Sequence, residues 1–296
     1  MTPDPPLPAG GPEHAERLLD FFGTVVRVRC APADATDLDF FFGPHRAPPG
    51  ARARYRVELS AGGGGFLRSL LAKDDAPKSF RLSVEPGGRL IEERRFTRWS
   101  SVPSPLPPFR TMRESVAAVQ ATVLVRGSRC VAFFGEPHSG KTSLGLALLA
   151  RGWALASDQL LVVERATGAA RPYLTPTGVR GRTLTAMREG TLAGLEQRRS
   201  FCTVSGEVVL ARPESLGAVV PVGRRLGPLH LVAVRRAGAA APTLVPGGPT
   251  PRVWPAGAWS WLGGTLATDR ARSLLTLPAE GGEQAGADLV EEYFGA

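Results

Sequence analysis

The sequence predicts an α/β fold in its second half, with a β-rich part before it. Three observations carry this reading. Short apolar runs bounded by Gly and Pro recur through the first hundred residues. A glycine-bounded loop carrying Lys141 separates an apolar run from a helical pattern, and further strand-like runs follow it.

Residues 1–16, "MTPDPPLPAGGPEHAE", are Pro-rich and partly acidic with no apolar h-region, and read as a disordered tail rather than a signal peptide. Residues 17–99 form the β-rich region. Its strand candidates are "TVVRVRC" (24–30), "RYRVELS" (54–60), "SFRLSVE" (79–85) and "RLIEERR" (89–95). "EPGG" (85–88) joins the last two as a hairpin turn, and "AGGGGF" (61–66) is a loop. "SSVPSPLPP" (100–108) reads as a linker or embracing loop.

Residues 109–296 form the α/β domain. "FRTMRESVAAVQ" (109–120) has helical spacing at Met112, Val116 and Val119, and "ATVLVRG" (121–127) and "RCVAFFG" (129–135) are strands meeting at a tight "RGSR" turn. Later strand candidates are 153–158, 159–164, 207–212 and 230–236, and helix candidates are 268–277 and 286–294. The strand–helix–strand succession over 129–164 is the centre of the domain, and the β-rich part is a candidate contributor to the same sheet.

Composition narrows the classes. A hydrophobic share of 43% and a charged share of 21% are those of a globular chain with a sizeable core. No apolar run is long enough to span a membrane. Cys30, Cys130 and Cys202 are odd in number and far apart, against a disulfide framework or zinc site and in keeping with a cytoplasmic protein. A net charge of +9 would draw nucleic acid, but the 33 arginines are scattered and mixed with acids, so charge alone does not argue for it.

Residues Gly135-Glu136-Pro137-His138-Ser139-Gly140-Lys141-Thr142 fit G-x-x-x-x-G-K-[ST], the phosphate loop (P-loop, Walker A). The glycines free the backbone so that successive N–H groups face phosphate oxygens, and the unpaired N–H groups opening the next helix add to the anion site. Lys141 can reach the β- and γ-phosphates, and the Thr142 hydroxyl is placed for Mg2+, with Ser143 nearby. An apolar strand before the loop and "TSLGLALLARG", read as an amphipathic helix stopped by Gly152, supply the required context. Lysine is rare here, occurring only at 73, 78 and 141.

Absences narrow the class further. With no asparagine, neither the N-K-x-D of GTPases nor the catalytic loop of eukaryotic-type kinases can exist. A phosphoryl-transfer site needs a carboxylate near Mg2+. Asp158 is the only aspartate between Asp75 and Asp269, and it ends the first strand after the loop's helix.

"GEPHSGKTSLGLALLARGWALASDQLLVVE" resembles the nucleotide-binding core of the HPr kinase/phosphorylase family and its shorter relatives. The resemblance covers about Gln120 to Glu164. It implies a P-loop core of the HPr kinase C-terminal-domain type and an ATP- and Mg2+-dependent kinase acting on a hydroxyl, a serine of a peptide or small protein. It further implies Lys141 as the phosphate lysine, Thr142 as the Mg2+ hydroxyl, and Asp158 acting on the attacking hydroxyl or near the metal. HPr kinases are hexamers, which makes a homo-oligomer an expectation; relatives that tailor ribosomal peptides are about this size. Three positions depart from the family. Gln159 replaces a second Asp, Gln120 stands where relatives often carry His, and in a loosely aligned "PTGVRGRTL" (176–184) Gly178 replaces a metal-binding Glu. An amide cannot supply Mg2+ with a carboxylate's charge.

His138 and Glu136 sit in the loop, where such positions usually present only backbone. Arg180 and Arg182 are candidate clamps on a transferring phosphoryl. "WPAGAWSW" (254–261) reads as core filling under a loop. The kinase therefore has two rivals at this level: a nucleotide-binding scaffold, motivated by Gln159 and Gln120, and a nucleic-acid-associated triphosphatase, motivated only by the basic pI.

Overall fold

The structure, a computed structural model, describes residues 14–61, 78–96, 105–188, 198–203, 206–238, 240–247 and 272–295. The chain divides into two compact units, Met1–Phe109 and Arg110–Ala296.

The first unit holds β1 (Ala15–Phe21), β2 (Thr24–Cys30), α1 (Pro32–Phe42), β3 (Tyr55–Ala61), β4 (Lys78–Val84) and β5 (Leu90–Phe96). They form a sheet of their own in the order β1-β2-β3-β4-β5. Only β2 and β3 run parallel, because α1 carries the chain across between them. Alternation does its expected work: Val26, Val28 and Cys30 of β2 and Phe80 and Leu82 of β4 are buried, with charged residues between them. Two features escape the sequence reading. β1 begins at Ala15, inside the stretch assigned to the tail, and pairs with β2 along its whole length. α1 starts at Pro32, contains three aspartates and stops at Gly43, so no helical stripe marks it; burial of Ala35, Leu38 and Phe40 to Phe42 makes it a helix.

α2 (Phe109–Met112) spans the boundary, and the second unit holds β6 (Val116–Gln120), β7 (Thr122–Arg126), β8 (Arg129–Phe134), α3 (Lys141–Leu149), β9 (Ala154–Ser157), β10 (Leu160–Glu164) and β11 (Ala170–Arg171). There follow β12 (Thr177–Arg180), α4 (Gly181–Arg188), β13 (Arg198–Thr203), β14 (Gly206–Ala211), β15 (Leu229–Ala237), β16 (Thr243–Pro246), β17 (Arg272–Pro278) and α5 (Glu283–Phe294). The main sheet has the order β16-β17-β15-β8-β7-β9, with β8, β15 and β17 mutually parallel. One face is covered by α3 and α5, through Leu144, Leu148, Val290 and Phe294 against Val131, Phe133, Val232 and Leu275. The other face packs on a small sheet, β11-β10-β6, through Val119, Leu161 and Val163. The result is a mixed α/β fold of three layers.

α5 is fastened to the sheet by arginine and tryptophan. Arg126 pairs with Glu291, the Trp153 indole N–H donates to Glu291 Oε2 at 2.6 Å, and Arg151 pairs with Asp288 at 2.6 Å.

Three expectations need correction. Residues 109–120 are helical only to Met112; Val116–Gln120 is a strand paired with β10. Val116, Ala117, Ala118 and Val119 are all buried, so both faces of the run are covered and branched valine favours the strand. Arg272–Pro278, overlapping the expected helix 268–277, is strand β17 beside β15, again buried on both faces; residues 268–271 lie outside the described residues. α3 is not one-faced, since Leu144, Gly145, Ala147, Leu148 and Leu149 are all buried. The loop candidate from 62 onward and the tryptophan cluster at 254–261 also lie outside the described residues. Among the described residues, no helix is long and apolar enough to cross a membrane.

Candidate functional site

The loop Gly135 to Gly140 leaves the carboxyl end of β8, where Ala233 of β15 stands opposite Phe134. Its two glycines are required by what lies beside them. A Cβ on Gly135 would sit 2.2 Å from the Val234 carbonyl oxygen. Gly140, at φ +99°, is left-handed, and a Cβ there would lie 2.9 Å from Arg236 Nη2 and 3.1 Å from Leu277 Cδ1. Between them His138 is left-handed at φ +65°, and the Ser139 N–H closes a turn on the Glu136 carbonyl at 3.1 Å. α3 begins at Lys141, its first turn closed by Leu144 N–H to Gly140 O at 2.8 Å.

Lys141 folds back under this loop. It is 8% exposed, and its ammonium donates to Gly135 O at 3.0 Å, Glu136 O at 2.8 Å and Ser139 Oγ at 3.3 Å. Burial pulls its pKa below the usual lysine range, opposed by the charges of Asp158 and Glu136. Thr142, next in α3, donates to Asp158 Oδ2 at 3.4 Å, and the buried Thr122 at the start of β7 donates to Asp158 Oδ1 at 2.9 Å. Asp158 follows β9 directly. Protein crowded around its carboxyl raises the pKa to about 6, while the two threonines, Lys141 and Arg180 hold it down. Glycine loop, ammonium, hydroxyl and carboxyl thus meet at one end of the sheet, beside a crevice of about 420 Å³ reached by Glu136, His138, Arg235 and Arg236.

The remaining candidates are placed as follows. Ser139 is buried and bound to Lys141, whereas Glu136, Pro137 and His138 are exposed at the loop's tip. Ser143 turns away to share a 2.6 Å hydrogen bond with Thr183 of α4. Gln159 donates from its amide to the Pro176 carbonyl at 3.4 Å, and Gln120 stands opposite Leu160 in the small sheet. The stretch 176–184 therefore does reach the site, through Pro176, Arg180 and Thr183. Arg180 is exposed, Gly178 is in β12, and the Arg182 side chain falls outside the described part.

Thr122, Arg236 and Glu283 were not legible as site residues. A hydroxyl in the apolar run "ATVLV" is a faint signal for Thr122. Arg236 and Glu283 carry none.

The donor set fits a nucleotide's phosphates with Mg2+. A carboxyl and a hydroxyl lie in contact at a helix N-terminus whose preceding glycines admit no side chain. Among the described residues no three His, Cys, Asp or Glu form a metal cluster. Mg2+ held through one or two protein oxygens, phosphates and water needs no such cluster.

No protein-family model matches the sequence, and no curated protein matches it. Among solved structures, the chain is similar to the HPr(Ser) kinase/phosphatase from Coxiella burnetii. The identity is 15%, over 60% of this chain and 95% of that one, with a TM-score of 0.27. A likeness of that size says nothing of this chain's chemistry.

Proposed function

We propose that the chain is an ATP-dependent kinase that phosphorylates a hydroxyl, a serine on a peptide or small protein, in the cytoplasm. One observation carries this reading: the Asp158 carboxyl lies within 3.4 Å of the Thr142 hydroxyl, directly after the glycine loop and beside Lys141. Residues 135–142 would serve as the phosphate loop. Their amides and the Lys141 ammonium receive the β- and γ-phosphates, the ammonium exchanging its loop carbonyls for phosphate oxygens. Bound Mg2+ would offset the phosphates' charge, held by Thr142 and Asp158. The acceptor hydroxyl's oxygen bonds to the γ-phosphorus, its proton passes to Asp158, and ADP leaves. Before Mg2+ binds, Asp158 has a pKa of about 6 and is mostly ionised at neutral pH, the form that can hold the metal or accept a proton. Catalysis here is positioning and electrostatics, so few side chains suffice.

Gln159 supports a second reading, a nucleotide-binding scaffold. Where the resembling family has a further carboxylate, this chain has an amide donating to Pro176. Incubation with labelled ATP, Mg2+ and serine-, threonine- and tyrosine-bearing peptides separates the two. Label transfer in the wild type that is lost in Asp158→Asn supports the kinase. Nucleotide-dependent thermal stabilisation with no transfer and no ATP turnover supports the scaffold and ends the kinase reading.

A further inference from the structure

Arg236 lies three residues beyond the last pairing of β15 with β8, so it projects past the strand that feeds the loop. Its guanidinium holds four acceptors, one in the loop and three in the stretch 278–283. Nε donates to His138 O at 3.3 Å, Nη1 donates to Pro278 O at 3.0 Å and Gly281 O at 3.1 Å, and Nη2 donates to the Glu283 carboxylate. Nη2 also fills the space that a side chain at residue 140 would need. His138, the loop's only left-handed residue other than glycine, has its carbonyl fixed by this one arginine. The group is half-buried on both sides of the ion pair, with side-chain exposures of 24% and 23%.

We infer that Arg236 is a positioning residue for the phosphate loop, setting its shape through the His138 carbonyl and the flank of Gly140, with Glu283 orienting the guanidinium. This rests on the reading of residues 135–142 as a nucleotide site. The role belongs to the planar fork rather than to the charge. Glu283 offsets the charge, while only a guanidinium has donors in fixed directions that reach a carbonyl on one side and two carbonyls and a carboxylate on the other. The loop amides then meet phosphate already arranged, which tightens nucleotide binding without entering the chemistry. Lysine at this position keeps the charge and loses the geometry.

The test is calorimetric titration of the full chain with Mg2+ and a non-hydrolysable ATP analogue, alongside KM for ATP and kcat in the transfer assay. Arg236→Gln and Arg236→Lys are each expected to weaken nucleotide binding at least tenfold and to raise KM, with kcat at saturating ATP within about threefold of wild type. Lysine binding like wild type would reduce Arg236 to a charge, and either variant losing kcat while keeping KM would make it part of the chemistry; both results overturn the proposal. Should Arg236→Gln fail to fold, Glu283→Gln serves, with a three- to fivefold weakening expected and unchanged affinity overturning it. A wild type that binds no nucleotide takes down the kinase reading as well. Normal wild-type binding with unaffected variants removes the Arg236 role alone.

Discussion

Thr122 and Asp158, 36 residues apart in the chain, meet at 2.9 Å, the threonine hydroxyl donating to the carboxyl. The Thr122 methyl faces Gly145 of α3, where a Cβ would lie 2.8 Å away, so helix packing turns the hydroxyl toward Asp158. Thr122→Val keeps the shape and removes the donor. Because that bond lowers the Asp158 pKa, its loss raises it, and the acidic limb of the kcat–pH profile should move to higher pH. An unmoved limb would mean that Asp158 is not the titrating group. The stability loss should be about 1 kcal/mol, read by denaturant unfolding.

Asp158 also makes stability depend on pH. Its folded pKa, about 6, lies above the unfolded value of 3.8, so the native state binds more protons between those values and loses stability as pH rises through that window. Asp158→Asn removes the ionisable group. It should be more stable than wild type at pH 7.5 by about 1–2 kcal/mol, allowing for the carboxyl's partial exposure, and should lose that advantage near pH 4. Thermal melts at both pH values check this, together with loss of transfer.

Lys141→Met should separate folding from binding. The methionine fills a site in which an ammonium is penalised by burial, though Gly135 and Glu136 lose a donor to their carbonyls. The unliganded melting temperature should stay within a few degrees of wild type. The shift produced by millimolar ATP with Mg2+ should vanish. A retained shift would show that nucleotide binds without this ammonium.

Glu291→Ala tests how α5 is held. It strips a partner from the fully buried Trp153 indole and from Arg126 together. A loss of about 2–3 kcal/mol is expected in denaturant unfolding, because a buried donor left unpaired is penalised more than the bond itself contributes. Glu291→Gln, which keeps an acceptor, should lose less.

Legibility in the sequence followed locality. β2 was readable because Val26, Val28 and Cys30 alternate with half-buried arginines, and the glycine loop because its eight residues are contiguous. β6 and β17 were not, since both are buried on two faces and their partners lie far along the chain; Leu274, Leu275 and Leu277 mimic a helical face. At the site, Asp158 was found through its rarity and spacing. Thr122 and Arg236 arrive through strand order and Glu283 through the start of α5, neither of which periodicity encodes.

The carbonyl of Val234 and the guanidinium of Arg236 stand where side chains at 135 and 140 would have to go. The eight-residue loop is therefore not a portable cassette. Transplanted onto a foreign sheet it would carry its glycines but leave behind the backing that moulds them. Any redesign of this pocket has to treat β15 and the loop as one part.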